Sequence, residues 1–173
     1  MSDIRLVDAT LTIECDVENF NPIEYEREYI QLSESENDAI GQWLRSNKAK
    51  VDIGENDTII IQLLSELYRK IDRLEQVLLN TEPNRVILSI HARIGRIGYE
   101  YFELTEPVME IGKHYYGRLE IPIHPIREAG LYFEALSPTL AKIIRIHQKD
   151  SNKWGMYMMA RERAIIRHLK GYE

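Results

Sequence analysis

Arg93 and Arg96 flank Gly95 in a strand-like stretch of the chain. Guanidinium groups can grip a phosphate through paired hydrogen bonds, and a neighbouring glycine lets an anion approach the backbone. Arg118, Arg127 and Arg145 are scattered farther along, and with no second motif element beside any of them all five arginines read as solvated strand ends and rim charges. The five histidines, His91, His114, His124, His147 and His168, lack the spacing of metal ligands. His91 and His124 both fall among candidate strands, where a pair of histidines with no role is the ordinary outcome. Cys15 lies on the apolar phase of a strand and reads as a buried thiol. Glu24, Glu26 and Glu28 crowd together, but they read as a solvated acidic loop rather than as paired catalytic carboxylates. No phosphate-binding loop with its Lys-Ser/Thr ending is present, and no nucleophile elbow surrounds a serine. Gly95-Arg-Ile-Gly98 has two glycines where a dinucleotide fingerprint needs three. The expectation is a protein that is not an enzyme, with no catalytic residues, no metal and no cofactor.

These residues have to be positioned by a chain of 173 residues, enough for one domain with an insertion. A single cysteine cannot form an internal disulfide, so no oxidising compartment is implied. No apolar run is long enough to cross a bilayer, and the first residues have no signal-peptide core. The expectation is a cytoplasmic protein with no membrane insertion. The net charge of −6 argues against binding a nucleic-acid polymer, which requires an excess of Lys and Arg. That charge is uneven. Residues 1–58 hold 14 acids and 5 bases, while residues 59–173 hold 14 acids and 17 bases. An anionic small ligand would therefore meet the second part.

Val7, Ala9, Leu11, Ile13 and Cys15 alternate with polar residues, which predicts a strand buried on one face. Residues 19–32 read as a loop. Ser33-Glu-Ser-Glu36 has the form of a capping box, and Ala39, Ile40, Trp43 and Leu44 then predict a helix over 34–47. From Asn84 onward the texture is β. Strand-like runs cover Arg85–Ile90, Gly95–Phe102, Tyr115–Ile123, Leu131–Leu136 and Leu140–Ile146, with turns at Glu110–Lys113 and Ser137-Pro138. Lys149-Asp-Ser-Asn152 reads as a further turn, and Arg161–Lys170 as a short basic C-terminal helix. Short, evenly spaced strands of this kind predict a small barrel or sandwich.

The strongest periodic signal lies over 56–80. Ile60, Leu64, Leu67, Ile71, Leu74 and Leu78 follow one another at intervals of four and three without a miss, giving three heptads. Ile61, Leu63, Tyr68 and Val77 widen the apolar face. Such a face either meets other helices or packs on its own domain. The unbroken register favours contact with other helices, in a homo-oligomer.

The order of elements resembles the PilZ family, the small β-barrel receptors of bacterial cyclic di-GMP. The resemblance rests on a first strand from Arg5, the stretch Leu88-Ser-Ile-His-Ala-Arg-Ile-Gly-Arg-Ile-Gly-Tyr99, the Glu110-Ile-Gly-Lys113 turn, Leu119-Glu-Ile-Pro122, and the closing Arg161–His168 helix. It covers residues 84–170 best. The inserted heptad helix is similar to that of atypical members, which assemble into dimers or tetramers. The resemblance implies an α+β, mostly β fold: a six-stranded PilZ-like barrel with inserted long helices and a C-terminal helix. In that scheme residues 1–15 supply the first barrel strand, and 16–55 an acidic loop and short helix. Residues 56–80 form the oligomerisation helix, and 84–173 the rest of the barrel with its C-terminal helix.

The family binds its dinucleotide through an Arg-x-x-x-Arg element and an Asp/Asn-x-Ser-x-x-Gly element. Here Arg5 can stand for the second arginine of the first element, but the first would fall on Met1. Arg69-Lys-Ile-Asp-Arg73 matches the letters inside the heptad helix, where it reads as a solvated face. In the register that keeps Ile97-Gly98-Tyr99, the second element becomes His91, Arg93 and Arg96, and all three signature types differ. The resemblance therefore implies a ligand site at Arg5, His91, Arg93 and Arg96 whose cyclic di-GMP binding is weak or lost. The function expected is that of a bacterial signalling adaptor. It would work through self-association and an unknown protein partner, contacted by the barrel face around Arg93–Phe102.

Overall fold

The computed structural model describes residues 3–34, 55–78, 85–123 and 126–171. The alternation in the first segment becomes strand β1, Val7–Val17, with Ala9, Leu11, Ile13 and Cys15 turned into the core. Five further strands follow: β2 (Ile90–Ile97), β3 (Tyr101–Leu104), β4 (His114–Glu120), β5 (Glu128–Ala135) and β6 (Leu140–Ile146). They close into an antiparallel barrel in the order β1-β2-β3-β6-β5-β4. β1 pairs with β2 on one side and with β4 on the other, so it is the strand that shuts the sheet on itself. Closure leaves no strand edge open to another chain.

Side chains fill the barrel interior. Ile13, Ile94, Ile97, Phe102, Leu131 and Phe133 are almost fully buried, with the Phe102 and Phe133 rings edge to face at 4.9 Å. One end is stopped by helix α3, Gln148–Leu169, which sends Trp154, Tyr157 and Met158 into the core at helical spacing. Trp154 Nε1 donates to the Gly98 carbonyl at 2.7 Å, which satisfies the buried indole.

The α+β architecture, the count of six strands and the presence of a C-terminal helix are as the sequence predicts. The run Gly95–Phe102 is not one strand: the chain turns at residues 98–100, where the Gly98 N–H donates to the Tyr101 carbonyl, and passes from β2 into β3. The C-terminal helix starts at Gln148 rather than at Arg161. Four further local readings are corrected. Residues 19–32 are not a loop, because a single 3-10 turn at Glu18–Phe20 leads into helix α1, Pro22–Glu34. Pro22 opens the helix where a missing N–H costs nothing, and Tyr25, Tyr29 and Leu32 lie one turn apart on its buried face. Ser33 is itself helical rather than the residue before a helix: it lies within α1, where its hydroxyl donates to the Ile30 carbonyl. The helix expected over 34–47 falls almost wholly outside the described residues. Residues 85–89 are not strand, since the Val86 and Ser89 N–H groups are taken by the carboxylates of Glu28 and Asp16 instead of a neighbouring strand. Lys149–Asn152 is not a turn but the first turn of α3, where Asp150 suits the positive end of the helix dipole. Glu110–Lys113 is the turn expected, with Gly112 at φ +84°.

The chain divides into two compact units, Met1–Ser33 with Val86–Glu173, and Glu34–Arg85. The second contains helix α2, Glu55–Leu78, about 36 Å long. No described helix is long and apolar enough to cross a membrane.

Arg118 on β4 joins the parts of the first unit. It donates to Glu28 of α1 at 2.5 Å, to the Val86 carbonyl at 3.0 Å and to Glu14 of β1. Its side chain is 10% exposed and that of Glu28 is fully buried. Burial opposes the charge, but the hydrogen bonds that the guanidinium donates to Glu28 and Glu14 outweigh it and hold Arg118 above its ordinary pKa. Removing one member leaves a buried charge without its counter-ion, so Arg118→Ala should lower stability by about 3–5 kcal/mol in urea denaturation. A loss below about 1 kcal/mol would mean that the cluster is of no more consequence than a surface pair.

Candidate functional site

β2 carries His91, Arg93 and Arg96 on the outer surface of the barrel, where all three are exposed. Simple alternation would put residue 95 on that side. The pairing of β2 slips by one residue on both flanks, between Asp8 and Leu11 on β1 and between Ile94 and Arg96 against β3. This bulge turns Arg96 outward beside Arg93. Arg5 precedes β1, and its backbone passes against Gly98. A Cβ at position 98 would stand 2.7 Å from the Arg5 carbonyl oxygen, so a side chain there would push the two segments apart. The four predicted residues therefore belong to one region of the barrel wall, at the β1–β2 pair.

Carboxylates occupy that wall as well. His91 Nδ1 lies 3.7 Å from Glu14, its partner across the ladder. Arg96 is bonded to Glu103 on β3 and sits across from Asp8 on β1. Arg5 pairs with Glu162 of α3 at 3.1 Å. Of the four predicted residues, Arg93, opposite Thr12, is the one with no ion partner among the described residues. A phosphate arriving here would have to displace Glu103 and Glu162 from their arginines. The described residues form clefts of about 670 and 310 Å³. The first is lined by Glu18, Phe20, Lys113 and His114, and the second by Tyr99, Ile143, Ile144 and Trp154. Neither is lined by Arg5, His91, Arg93 or Arg96. Among the described residues no three His, Cys, Asp or Glu side chains come together as a metal site would need. Cys15 is buried, and desolvation, followed by the neighbouring Asp16 charge, pushes its pKa up to about 12, where the thiol is unreactive.

Sequence reasoning missed the polar cluster under α1. The crowded glutamates face different partners: Glu24 pairs with Arg27, Glu26 with Arg145 and Glu28 with Arg118. Arg145 lies over the Tyr29 ring at 4.4 Å, and the His147 ring stacks on Tyr29 itself with centroids 3.8 Å apart. The signal available was the spacing Tyr25, Tyr29, Leu32 after a proline, an apolar stripe made mostly of tyrosines.

The heptad residues present a different kind of surface. On α2, Ile60, Leu64, Leu67, Ile71 and Leu74 are each more than half exposed, and Leu78 is 82% exposed. Another strip of the same helix is the covered one: Ser65 is buried, and Thr58, Ile61, Arg69 and Asp72 are half-buried. The chain thus covers a largely polar strip and leaves its most apolar seam in water. An amphipathic helix satisfied by its own domain has the opposite arrangement.

No protein-family model matches the chain, and no similar curated protein or solved structure was found.

The α1 cluster makes a pH prediction. Hydrogen bonds from Arg145 hold the Glu26 carboxyl below its ordinary value of 4.5, against the opposing effect of partial burial, and the Tyr132 hydroxyl adds to the lowering. A depressed carboxyl stabilises the fold above its unfolded pKa, and that increment is lost as the pH falls through the folded value. Denaturation midpoints of the native chain should therefore decline below pH 4.5 more steeply than those of Glu26→Gln. Parallel curves for the two proteins would remove Glu26 from the acid response.

Proposed function

We propose that this chain is a non-catalytic PilZ-like signalling adaptor that assembles with copies of itself through α2. It works by contact with a protein partner, and its cyclic di-GMP binding is weak or lost. The observation that carries this reading is the exposed seam. Six large aliphatic side chains in unbroken heptad register are left uncovered in the chain. Pairing two such helices buries on the order of 1,000 Å² of apolar surface, about the lower limit of a specific interface.

Weak or lost ligand affinity is supported by the barrel wall. Arg5 and Arg96, the two arginines that would grip phosphate, are held by Glu162 and Glu103. The interior has no room for a dinucleotide, because Phe102, Phe133 and Trp154 fill it. What the wall offers a protein partner is a mixed surface of exposed Tyr99, Arg93 and His91 with paired charges around them. A cyclic di-GMP receptor with a non-standard site is the second reading, and the guanidinium of Arg93, which has no ion partner among the described residues, is the feature that favours it.

Two measurements test this. Light scattering on the native chain should give a dimer or tetramer, and Leu67→Asp should give a monomer with unchanged circular dichroism, because Leu67 is exposed in the chain. A native chain that is monomeric at every concentration would sink the assembly. Calorimetric titration with cyclic di-GMP should show no binding in the micromolar range. Micromolar binding that Arg93→Ala or Arg96→Ala abolishes would replace the adaptor reading with the receptor one.

A further inference from the structure

The flanks of the seam specify how two copies meet. Ile60, Leu67 and Leu74 occupy one core position of the heptad, and Leu64, Ile71 and Leu78 the other. Leu63, Lys70 and Val77 precede the second set, while Ile61, Tyr68 and Glu75 follow the first. Lys70 and Glu75 are both exposed, and neither has an ion partner among the described residues. They are the only two charges at flanking positions of the seam.

The core layers alone allow two orientations. A parallel pair stacks each seam residue on its own copy. An antiparallel pair centred on residue 69 sets Leu67 against Ile71, Leu64 against Leu74, and Ile60 against Leu78, and it fills every layer equally well. The flanks separate the two. In the parallel pair a residue before one core position faces the residue five places later on the other helix. Lys70 then meets Glu75 of the second copy, and Leu63 meets Tyr68, twice each. In the antiparallel pair Lys70 meets Lys70, and Glu75 meets the apolar Ile61. One arrangement matches charge with charge and apolar with apolar at four contacts. The other creates a like-charge contact and sets a carboxylate against an aliphatic side chain.

We infer that α2 associates with α2 of a second copy in parallel and in register, with Lys70 of each helix paired to Glu75 of the other. This rests on the self-association proposed above and adds its direction. A parallel arrangement carries the same end of each inserted helix to the same end of the assembly.

Single cysteines read the orientation directly, because the one native thiol, Cys15, is buried. Leu64→Cys and Leu74→Cys lie on exposed seam positions, so neither should disturb the fold. Under mild oxidation each variant alone should form a disulfide-linked dimer, since parallel pairing sets identical residues side by side. In the antiparallel pair identical residues stand about 15 Å apart, beyond disulfide reach. There neither variant links with itself, and only a mixture of the two cross-links. That second pattern, in a protein that still assembles by light scattering, overturns the orientation and leaves self-association standing. A monomer by light scattering, with no links of either kind, overturns both. As an independent reading, Lys70→Glu should weaken assembly on the order of tenfold, and adding Glu75→Lys should restore it. Failure of the double variant to restore assembly also overturns the parallel pairing.

Discussion

One guanidinium ties this fold together. Arg118 reaches out of β4 and meets β1 through Glu14, α1 through Glu28 and the chain returning from the insertion through the Val86 carbonyl. Glu28 closes the circuit by accepting from the Val86 N–H at 3.2 Å. The last helix before the insertion and the first residue after it are thus held by the same two side chains. A second buried carboxylate repeats the device nearby, where Asp16 accepts from both the N–H and the hydroxyl of Ser89. Charges this deep are tolerated because each is paired and hydrogen-bonded, and that same condition makes any single loss expensive.

Electrostatics also explain why net charge is a poor guide to this surface. The basic surplus after residue 58 suggests a welcome for anions, but on the barrel wall the bases are used locally. Arg96 has Glu103, Arg5 has Glu162 and Arg145 has Glu26. The acidic front is equally committed, since Glu26 and Glu28 hold the barrel arginines rather than crowding one another. A wall neutralised in pairs suits recognition by shape and apolar contact more than by long-range attraction.

What the sequence reveals depends on how far apart the interacting partners lie. β1, β6 and α2 are legible because each is a local period written in aliphatic residues. α1 is hidden because its stripe is made of tyrosines among glutamates, a composition shared with solvated loops. The start of α3 is hidden because Lys-Asp-Ser-Asn serves equally well as a turn or as a polar first helical turn. Residues 85–89 have strand composition but bond to carboxylates that precede them by 58 and 73 positions. The same distance hides the central cluster: Arg118 is 90 residues from Glu28 and 104 from Glu14, and no spacing rule joins them. The arginines at 93 and 96 were visible as types, but their common outward face depends on a bulge that composition does not announce.

The fastening at Glu28 and Val86 has a consequence for how such a protein can diversify. With both roots of the insertion clamped to the barrel wall, the barrel gains little from what lies between them. Lengthening a closed loop is cheap, about 0.6 kcal/mol for each doubling. The Glu34–Arg85 unit can therefore be exchanged like a tool in a holder. The barrel serves as the handle, and it would hold a different insert by the same two roots.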